Sequence, residues 1–118
     1  MTETSVKRMH TQTRMSKIVI HRETVYLCGQ VCDNTADEIK AQTQQTLDKV
    51  DALLAEAGSS KEKILTALIH IKTMDDFKDM NEVWDAWSPE GNAPARTCVA
   101  APMANPDYRV EITVTAAQ

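Results

Sequence analysis

The sequence is poor in aromatic residues and in cysteine. Its 118 residues include one phenylalanine, two tyrosines and two tryptophans, so it lacks the aromatic and basic stripe on which single-stranded nucleic acids stack. The three cysteines, Cys28, Cys32 and Cys98, are an odd number, and their spacing fits neither a zinc knuckle nor a Cys-x-x-Cys redox motif. We therefore expect reduced thiols and a cytoplasmic protein.

Long apolar runs and an excess of positive charge are also missing. No stretch approaches the roughly 18 apolar residues of a membrane span, and the polar opening MTETSVKRMHTQTRMS has no secretory signal core. The net charge of −4 disfavours a polyanionic partner. The length of 118 residues predicts a single domain over residues 1–118, and the polar opening predicts that residues 1–13 form a loose N-terminal arm. The missing apolar runs and the net negative charge predict neither a membrane nor a nucleic acid as a partner.

Strand and helix patterns alternate along the rest of the chain. β-Branched and apolar runs indicate strands, and apolar residues at helical spacing indicate two helices, the first with a capping box of Thr35 and Glu38 and a stop at Gly58. The order ββαβαββ predicts an α+β fold with both helices on one face of a largely antiparallel sheet. The predicted elements are strands Met15–His21 and Thr24–Val31, a helix from Thr35 to Gly58, strand Ile64–Lys72, helix Asp75–Trp87, and strands Ala95–Met103 and Tyr108–Ala116.

One cation, Arg96, stands among small and apolar residues in the segment NAPARTCVA, residues 92–100. If the last two strands form a hairpin with an even-numbered loop, Arg96 and Cys98 share a face with Glu111. A guanidinium can clamp a carboxylate bidentately and a carboxylate can deprotonate water, so an enzyme could use that face. In this register the two charges lie about 13 Å apart along the strand. The pattern alone favours a surface or interface salt bridge.

Four segments, taken together, resemble the Rid (reactive intermediate deaminase) family, also labelled endoribonuclease L-PSP. They are VYLCGQV, MNEVWDAW, APARTCVAA and YRVEITVTAA, and the similarity runs from about Met15 to Ala117. The resemblance implies a homotrimer of chorismate-mutase-like subunits whose sheets form a barrel, with sites in clefts between subunits. It also implies hydrolysis of imines and enamines of amino acids, such as 2-aminoacrylate, to 2-keto acids and ammonia without metal or cofactor.

The resemblance implies roles for individual residues at matching positions. Arg96 would bind the substrate carboxylate, and Glu111 would act on the attacking water. Cys28 stands where the family has a serine, and Met15 stands where it has a tyrosine. These two departures imply a remodelled pocket wall and a substrate range shifted toward larger apolar side chains. The other residues that would line the site are Cys98, Gly29 and the helix residue Asn81.

Two other functions compete with imine hydrolysis. A non-catalytic trimer could use the cleft to bind a small molecule or to protect other proteins. The presence of Arg96 and Glu111 favours the enzyme, whereas Met15 in place of the tyrosine favours the binder. The ribonuclease activity implied by the older family label is disfavoured by the acidic composition and the missing aromatic and basic stripe.

Overall fold

Six strands and two α-helices make up the described chain, residues 5–118 of the computed structural model. In chain order they are β1 (Val6–Thr11), β2 (Ser16–His21), β3 (Thr24–Leu27), α1 (Ile39–Glu56), β4 (Ile64–Ile71), α2 (Phe77–Trp87), β5 (Ala95–Ala100) and β6 (Val110–Ala117). The strands form one sheet in the order β1-β2-β3-β6-β4-β5. β4 and β5 are parallel and the other neighbours are antiparallel, which confirms the mostly antiparallel sheet.

Both helices pack on the same face of the sheet, which confirms the predicted α+β class. Along β6 every second side chain, beginning at Val110, is buried in the core beneath the helices, and the side chains between them are half-buried on the other side. We call that other side the open face. It carries Tyr26, Leu68, Val99 and Glu111, as the strand pairing shows. No helix within residues 5–118 is both long and apolar enough to span a membrane.

The predicted loose arm is wrong for residues 6–11, which form β1 and pair with β2. The sequence VKRMHT has no apolar alternation because this edge strand is exposed on both sides, and only Met9 packs against the core. Charged side chains such as Lys7 and Arg8 are typical of edge strands, where they discourage pairing with other chains. The first part of the predicted arm, residues 1–4, lies outside the described residues.

The first helix begins at Ile39 rather than at the predicted capping box. The Asn34 side chain accepts a hydrogen bond from the backbone N of Ala36 at 3.1 Å, which holds the residues after it in a turn. Glu38 is the N-cap, and its carboxylate accepts from the backbone N–H groups of the first helical turn. The predicted stop is confirmed, since Gly58 follows the helix with a φ of +78°, a conformation that favours glycine.

Other element ends differ from the prediction by a few residues. β3 ends at Leu27 because the chain leaves the sheet there and rejoins it only at Gln30, through a single bridge to Ile112. α2 begins at Phe77, after a short 3₁₀ turn over Met74–Asp76. These differences leave the order of the predicted elements unchanged.

The last two strands do not form the predicted hairpin, because β4 lies between them and pairs with both. β4, α2 and β5 form a unit in which the helix returns the chain parallel to β4. The connection from Ala100 to Val110 contains nine residues, an odd number. Ala100 and Val110 both pair with Ile71 of β4, so they lie on the same face, the reverse of the expected arrangement.

A buried glutamine fixes the loop that precedes β6. The Gln42 side chain in α1 is fully buried, and its Nε2 donates to the carbonyl of Asp107 at 3.1 Å. Its Oε1 accepts from the backbone N of Arg109 at 2.9 Å. The Arg109 guanidinium in turn donates to both oxygens of the buried Asp76, at 2.6 and 3.3 Å. These bonds hold the chain two residues before Glu111 and so fix where that side chain starts.

Candidate active site

Glu111 lies on the open face, near the start of β6, beside the chain that follows β3. Gln30 and Ile112 exchange two backbone hydrogen bonds of 2.9 and 3.1 Å, which hold that chain against β6. Gly29 consequently lies against the Glu111 carboxylate. A Cβ at Gly29 would lie 2.8 Å from the Glu111 carboxyl carbon and would overlap Oε2, so only glycine allows this approach. We call Cys28, Gly29 and Glu111 the carboxylate cluster.

The Cys28 thiol belongs to this cluster and is a weak hydrogen-bond donor. The Nε2 of Gln30 donates to its sulfur at 3.2 Å and to its carbonyl at 3.0 Å. Burial raises the pKa of the Cys28 thiol, the hydrogen bond from Gln30 and the charge of Lys17 partly offset that rise, and the negative charge of Glu111 adds a smaller upward contribution. The thiol therefore stays protonated at neutral pH, with an S–H in place of the hydroxyl that the resemblance would put there.

Arg96 lies on the side of β5 that faces the helices. Its Nη1 donates to Oδ1 of Asn81 at 2.8 Å, and its guanidinium carbon lies 5.4 Å from the centre of the Trp84 ring. Cys98, two residues along the strand, points the same way and packs against the core. Burial raises the pKa of the Cys98 thiol, and the positive charge of Arg96 partly offsets that rise. We call Arg96, Asn81, Trp84 and Cys98 the arginine cluster.

The predicted shared face of Arg96 and Glu111 is wrong. Arg96 pairs with Ala67 of β4, whereas Glu111 pairs with His70, three positions further along β4. Because side chains alternate along a strand, an odd offset puts Arg96 toward the helices and Glu111 on the open face. Three residues along β4 and two strand spacings across the sheet separate their Cα atoms by about 14 Å. One chain therefore holds two separate clusters.

Met15 lies close to the carboxylate cluster in the fold. It sits in the turn between β1 and β2, where its carbonyl accepts from the backbone N of Gln12 at 2.7 Å. Two residues later, the carbonyl of Lys17 accepts from the backbone N of Cys28 at 3.0 Å, which ties this turn to the cluster. The Met15 side chain is 37% exposed and is free to contact a ligand or a second chain.

Two residues that touch or adjoin the candidate site residues, Trp84 and His70, were not predicted from the sequence. Trp84 lies under Arg96, and its position three residues after Asn81 on a helix was the signal that could have placed both on one side. His70 is the cross-strand neighbour of Glu111, and its Nδ1 is buried without a hydrogen-bond partner among residues 5–118. No local pattern reveals that pairing, because it depends on β4 lying beside β6.

An open cavity of about 450 Å³ lies at one end of the sheet, mostly on its open face, and Arg96 is among its lining residues. The other lining residues are four threonines, two alanines and one leucine: Thr66, Thr97, Thr113, Thr115, Ala67, Ala95 and Leu68. Threonine hydroxyls can both donate and accept hydrogen bonds, so the cavity suits a small polar ligand. Nowhere in the described part of the chain do three His, Cys, Asp or Glu side chains come together as metal ligands would.

Comparison with known proteins gives consistent matches over nearly the whole chain. Residues 5–118 match the family model described as endoribonuclease L-PSP. The RutC family protein YoaB of Escherichia coli (strain K12) is 42% identical over 113 residues, which are 96% of this chain and 98% of YoaB. A crystal structure of a YjgF family member from Neisseria meningitidis gives a TM-score of 0.96 at 38% identity, over 99% of this chain and 98% of the other.

A more distant relative has a named activity. The 2-iminobutanoate/2-iminopropanoate deaminase of Salmonella typhimurium is 32% identical over 83 residues, which are 69% of this chain and 65% of the deaminase.

Proposed function

The chain belongs to the endoribonuclease L-PSP family, as the four segments predicted, and we propose that it hydrolyses imines and enamines of amino acids to 2-keto acids and ammonia. One observation carries the proposal: within residues 5–118, neither Arg96 nor Glu111 is neutralised by an ion pair. One N–H group of Arg96 donates to the neutral amide of Asn81, and the Glu111 carboxylate lies against Gly29. A salt bridge between the two, the structural alternative, does not form within the chain.

The two clusters suit the two ends of such a substrate. A guanidinium has five N–H donors in a fixed fork, so Arg96 keeps an edge for a carboxylate after bonding Asn81. The Glu111 carboxylate can accept a proton from water. The distant relative that is named an imine deaminase supports this reaction class.

We infer that the site is completed between chains in a homotrimer. Arg96 and Glu111 of one chain lie on opposite faces of its sheet, about 14 Å apart, so a small substrate cannot bridge them. An arginine cluster from one subunit, placed on the open face of the next, would bring the two groups together. The open face also exposes Tyr26, Leu68 and Val99 by 46%, 38% and 39%, and an apolar surface of this kind is typical of an interface.

The proposed reaction needs only water and these side chains. The substrate carboxylate binds the free edge of the Arg96 guanidinium, which places the imine carbon before Glu111 of the neighbouring subunit. Glu111 takes a proton from water as the water oxygen bonds to that carbon, and it passes this proton to the nitrogen, so the C=N bond becomes the C–N bond of an amino alcohol. Glu111 then takes the hydroxyl proton and passes it to the nitrogen as the C–N bond breaks. Ammonia leaves, the C–O bond becomes the C=O of the 2-keto acid, and the Glu111 carboxylate is restored. No net oxidation occurs.

Cys28 and Met15 adapt the pocket to a different range of substrates. The Cys28 thiol is a weaker donor than a serine hydroxyl, so it stabilises the polar end of a substrate less. Met15 is flexible and apolar, and it adjusts its shape to bulky apolar groups. We therefore propose that imines with larger apolar side chains are better substrates than 2-aminoacrylate.

Ammonia release during amino-acid oxidation tests the proposed function directly. An amino-acid oxidase generates imines in the same tube, and a series of amino acids varies the side chain. We expect the protein to accelerate ammonia release above the spontaneous rate, most strongly for large apolar side chains. Light scattering on the eluting peak should give three times the 13.1 kDa chain mass.

Three outcomes of this assay would count against the proposal. Ammonia release no faster than with heat-denatured protein, for every amino acid tested, would reject the enzyme. If a 2-keto acid still binds in that case, the non-catalytic binder is the better account. A monomer with full activity would reject the site between subunits.

Gly29→Ala should lower the rate of imine hydrolysis by up to about a hundredfold without unfolding the protein. The new Cβ would displace the Glu111 carboxylate, which can move aside because it is the flexible end of a long side chain. Initial rates and thermal melting on the same samples measure both effects. Gly91→Ala is the control for activity alone: a Cβ in this exposed turn meets no atom within 4 Å, so the rate should be unchanged, whereas the φ of +81° strains the alanine and should lower the melting temperature. Equal activity losses in the two variants would contradict the contact with Glu111.

A further inference from the structure

The guanidinium of Arg96 is held from two directions. Asn81 fixes one corner of the guanidinium through the 2.8 Å hydrogen bond, and the Trp84 ring lies 5.4 Å from its central carbon. Trp84 is only 4% exposed and sits on the buried side of α2, so its ring cannot turn away without opening the core. The contact therefore defines a fixed support beside the cation.

Trp84 is itself held in place by its neighbour on the helix. The rings of Trp84 and Trp87 lie 5.3 Å apart at an interplanar angle of 52°, a tilted contact that aromatic pairs favour. Trp87 is anchored to α1 because its Nε1 donates to Oδ2 of Asp51 at 2.8 Å. Trp87 supports the packing of Trp84, and its hydrogen bond and ring contacts are made with Asp51, Lys61 and Trp84, whereas the Arg96 guanidinium lies beside the Trp84 ring.

Arg96 lies on the edge strand β5, and its contacts with Asn81 and Trp84 reduce the conformational freedom that it loses when a ligand binds. Arginine loses rotamer freedom when it binds a ligand, and immobilising one rotamer-rich side chain weakens binding by about twofold to tenfold. A guanidinium already ordered between an amide and an indole avoids that loss, and aromatic rings attract cations placed near their faces. The free edge of Arg96 is then oriented before a ligand arrives.

We propose that Trp84 is a positioning residue that holds Arg96 ready for a carboxylate ligand. The inference rests on the proposed function in one respect, the role of Arg96 as the carboxylate-binding group. It adds a consequence of its own: a carboxylate that neutralises the guanidinium changes the electric field at the Trp84 indole. Trp84 fluorescence therefore reports ligand binding, whether or not the ligand reacts.

Pyruvate, a 2-keto acid that the protein does not need to turn over, is the probe for the fluorescence test. The chain has two tryptophans, so Trp84→Phe and Trp87→Phe each leave one emitter. We expect a saturable emission change in the wild type and in Trp87→Phe, and none in Trp84→Phe although calorimetry still detects pyruvate binding. A response that stays in Trp84→Phe and disappears in Trp87→Phe would overturn the proposal, as would the absence of any pyruvate binding to the wild type.

Measurements of KM and kcat distinguish a role of Trp84 in positioning Arg96 from a role in core packing alone. Trp84→Leu should raise the KM for the imine, and the Kd for pyruvate, about twofold to tenfold, with kcat changed less than KM. Trp87→Leu removes the same ring from the same side of the helix without touching Arg96, so it is the matched control and should change KM less. Trp84→Tyr restores an aromatic face and should restore KM. Equal effects of the two leucine variants, or no rescue by tyrosine, would overturn the proposal.

The two proposals can fail separately. Binding of pyruvate with the expected Trp84 signal, in a protein that releases no ammonia from any imine, would reject the deaminase and leave the positioning role intact. Catalysis with an unchanged KM in Trp84→Leu would reject the positioning role and leave the deaminase intact.

Discussion

Glu111→Gln should lower kcat for imine hydrolysis by about 10²- to 10⁴-fold, the usual contribution of a positioned general base. The amide keeps the size and shape of the side chain but cannot take a proton from water. Since Glu111 makes no ion pair within residues 5–118, the substitution should leave folding and assembly unchanged. Initial rates of ammonia release, with the mass of the assembly from light scattering, measure both quantities.

The matched control for this variant is Glu90→Gln, which makes the same change at an exposed position. Its activity should equal that of the wild type. If Glu111→Gln retains full activity, Glu111 is not the base and the water must be activated by another group. His70, its neighbour across the β4–β6 ladder, would then be the first residue to test.

Arg96→Lys should lower kcat/KM about tenfold to a hundredfold, chiefly through KM. Lysine keeps the positive charge but loses the planar fork that binds a carboxylate through two parallel hydrogen bonds. A lost charge-assisted hydrogen bond of roughly 1.5–3 kcal/mol corresponds to that range. The substitution also removes the guanidinium that bonds Asn81 and lies beside Trp84. Steady-state kinetics at matched folding, checked by circular dichroism, give the result.

The control is Arg8→Lys, which makes the same substitution at an exposed position on the edge strand β1, away from the candidate site. It should have wild-type kinetics. If Arg96→Lys stays fully active, or loses activity only because the assembly falls apart into monomers, Arg96 is a structural cation and the carboxylate-binding role is wrong.

The order of the elements from β2 onward could be predicted because each of them leaves a local pattern in the sequence. α1 and α2 have apolar residues at helical spacing, and Gly58 marks the end of α1 by its positive φ. β1 left no such pattern, since it is an edge strand exposed on both sides, and its existence depends on pairing with β2. Local sequence does not encode that pairing.

The candidate site residues were named from the resemblance, and the relative placement expected for Arg96 and Glu111 was wrong. Arg96 and Glu111 were identified as the two charges of interest, and the structure separates them because β4 is inserted between their strands. Strand order and register come from packing across the whole sheet. The number of residues in the loop between two successive strands therefore could not reveal them. Gly29 against Glu111 and Trp84 under Arg96 are likewise contacts between distant parts of the chain.

The most direct test of the account is complementation between two impaired variants, with activity measured as kcat/KM at substrate concentrations well below KM. Arg96→Lys and Glu111→Gln chains carrying different tags are co-expressed, and assemblies that contain both are purified through the two tags in turn. If each site takes Arg96 from one subunit and Glu111 from the next, every mixed trimer contains one intact site, and activity should recover to about one third of the wild-type value. If mixed trimers are no more active than the two variants alone, Arg96 and Glu111 do not meet across subunits and the central claim is wrong.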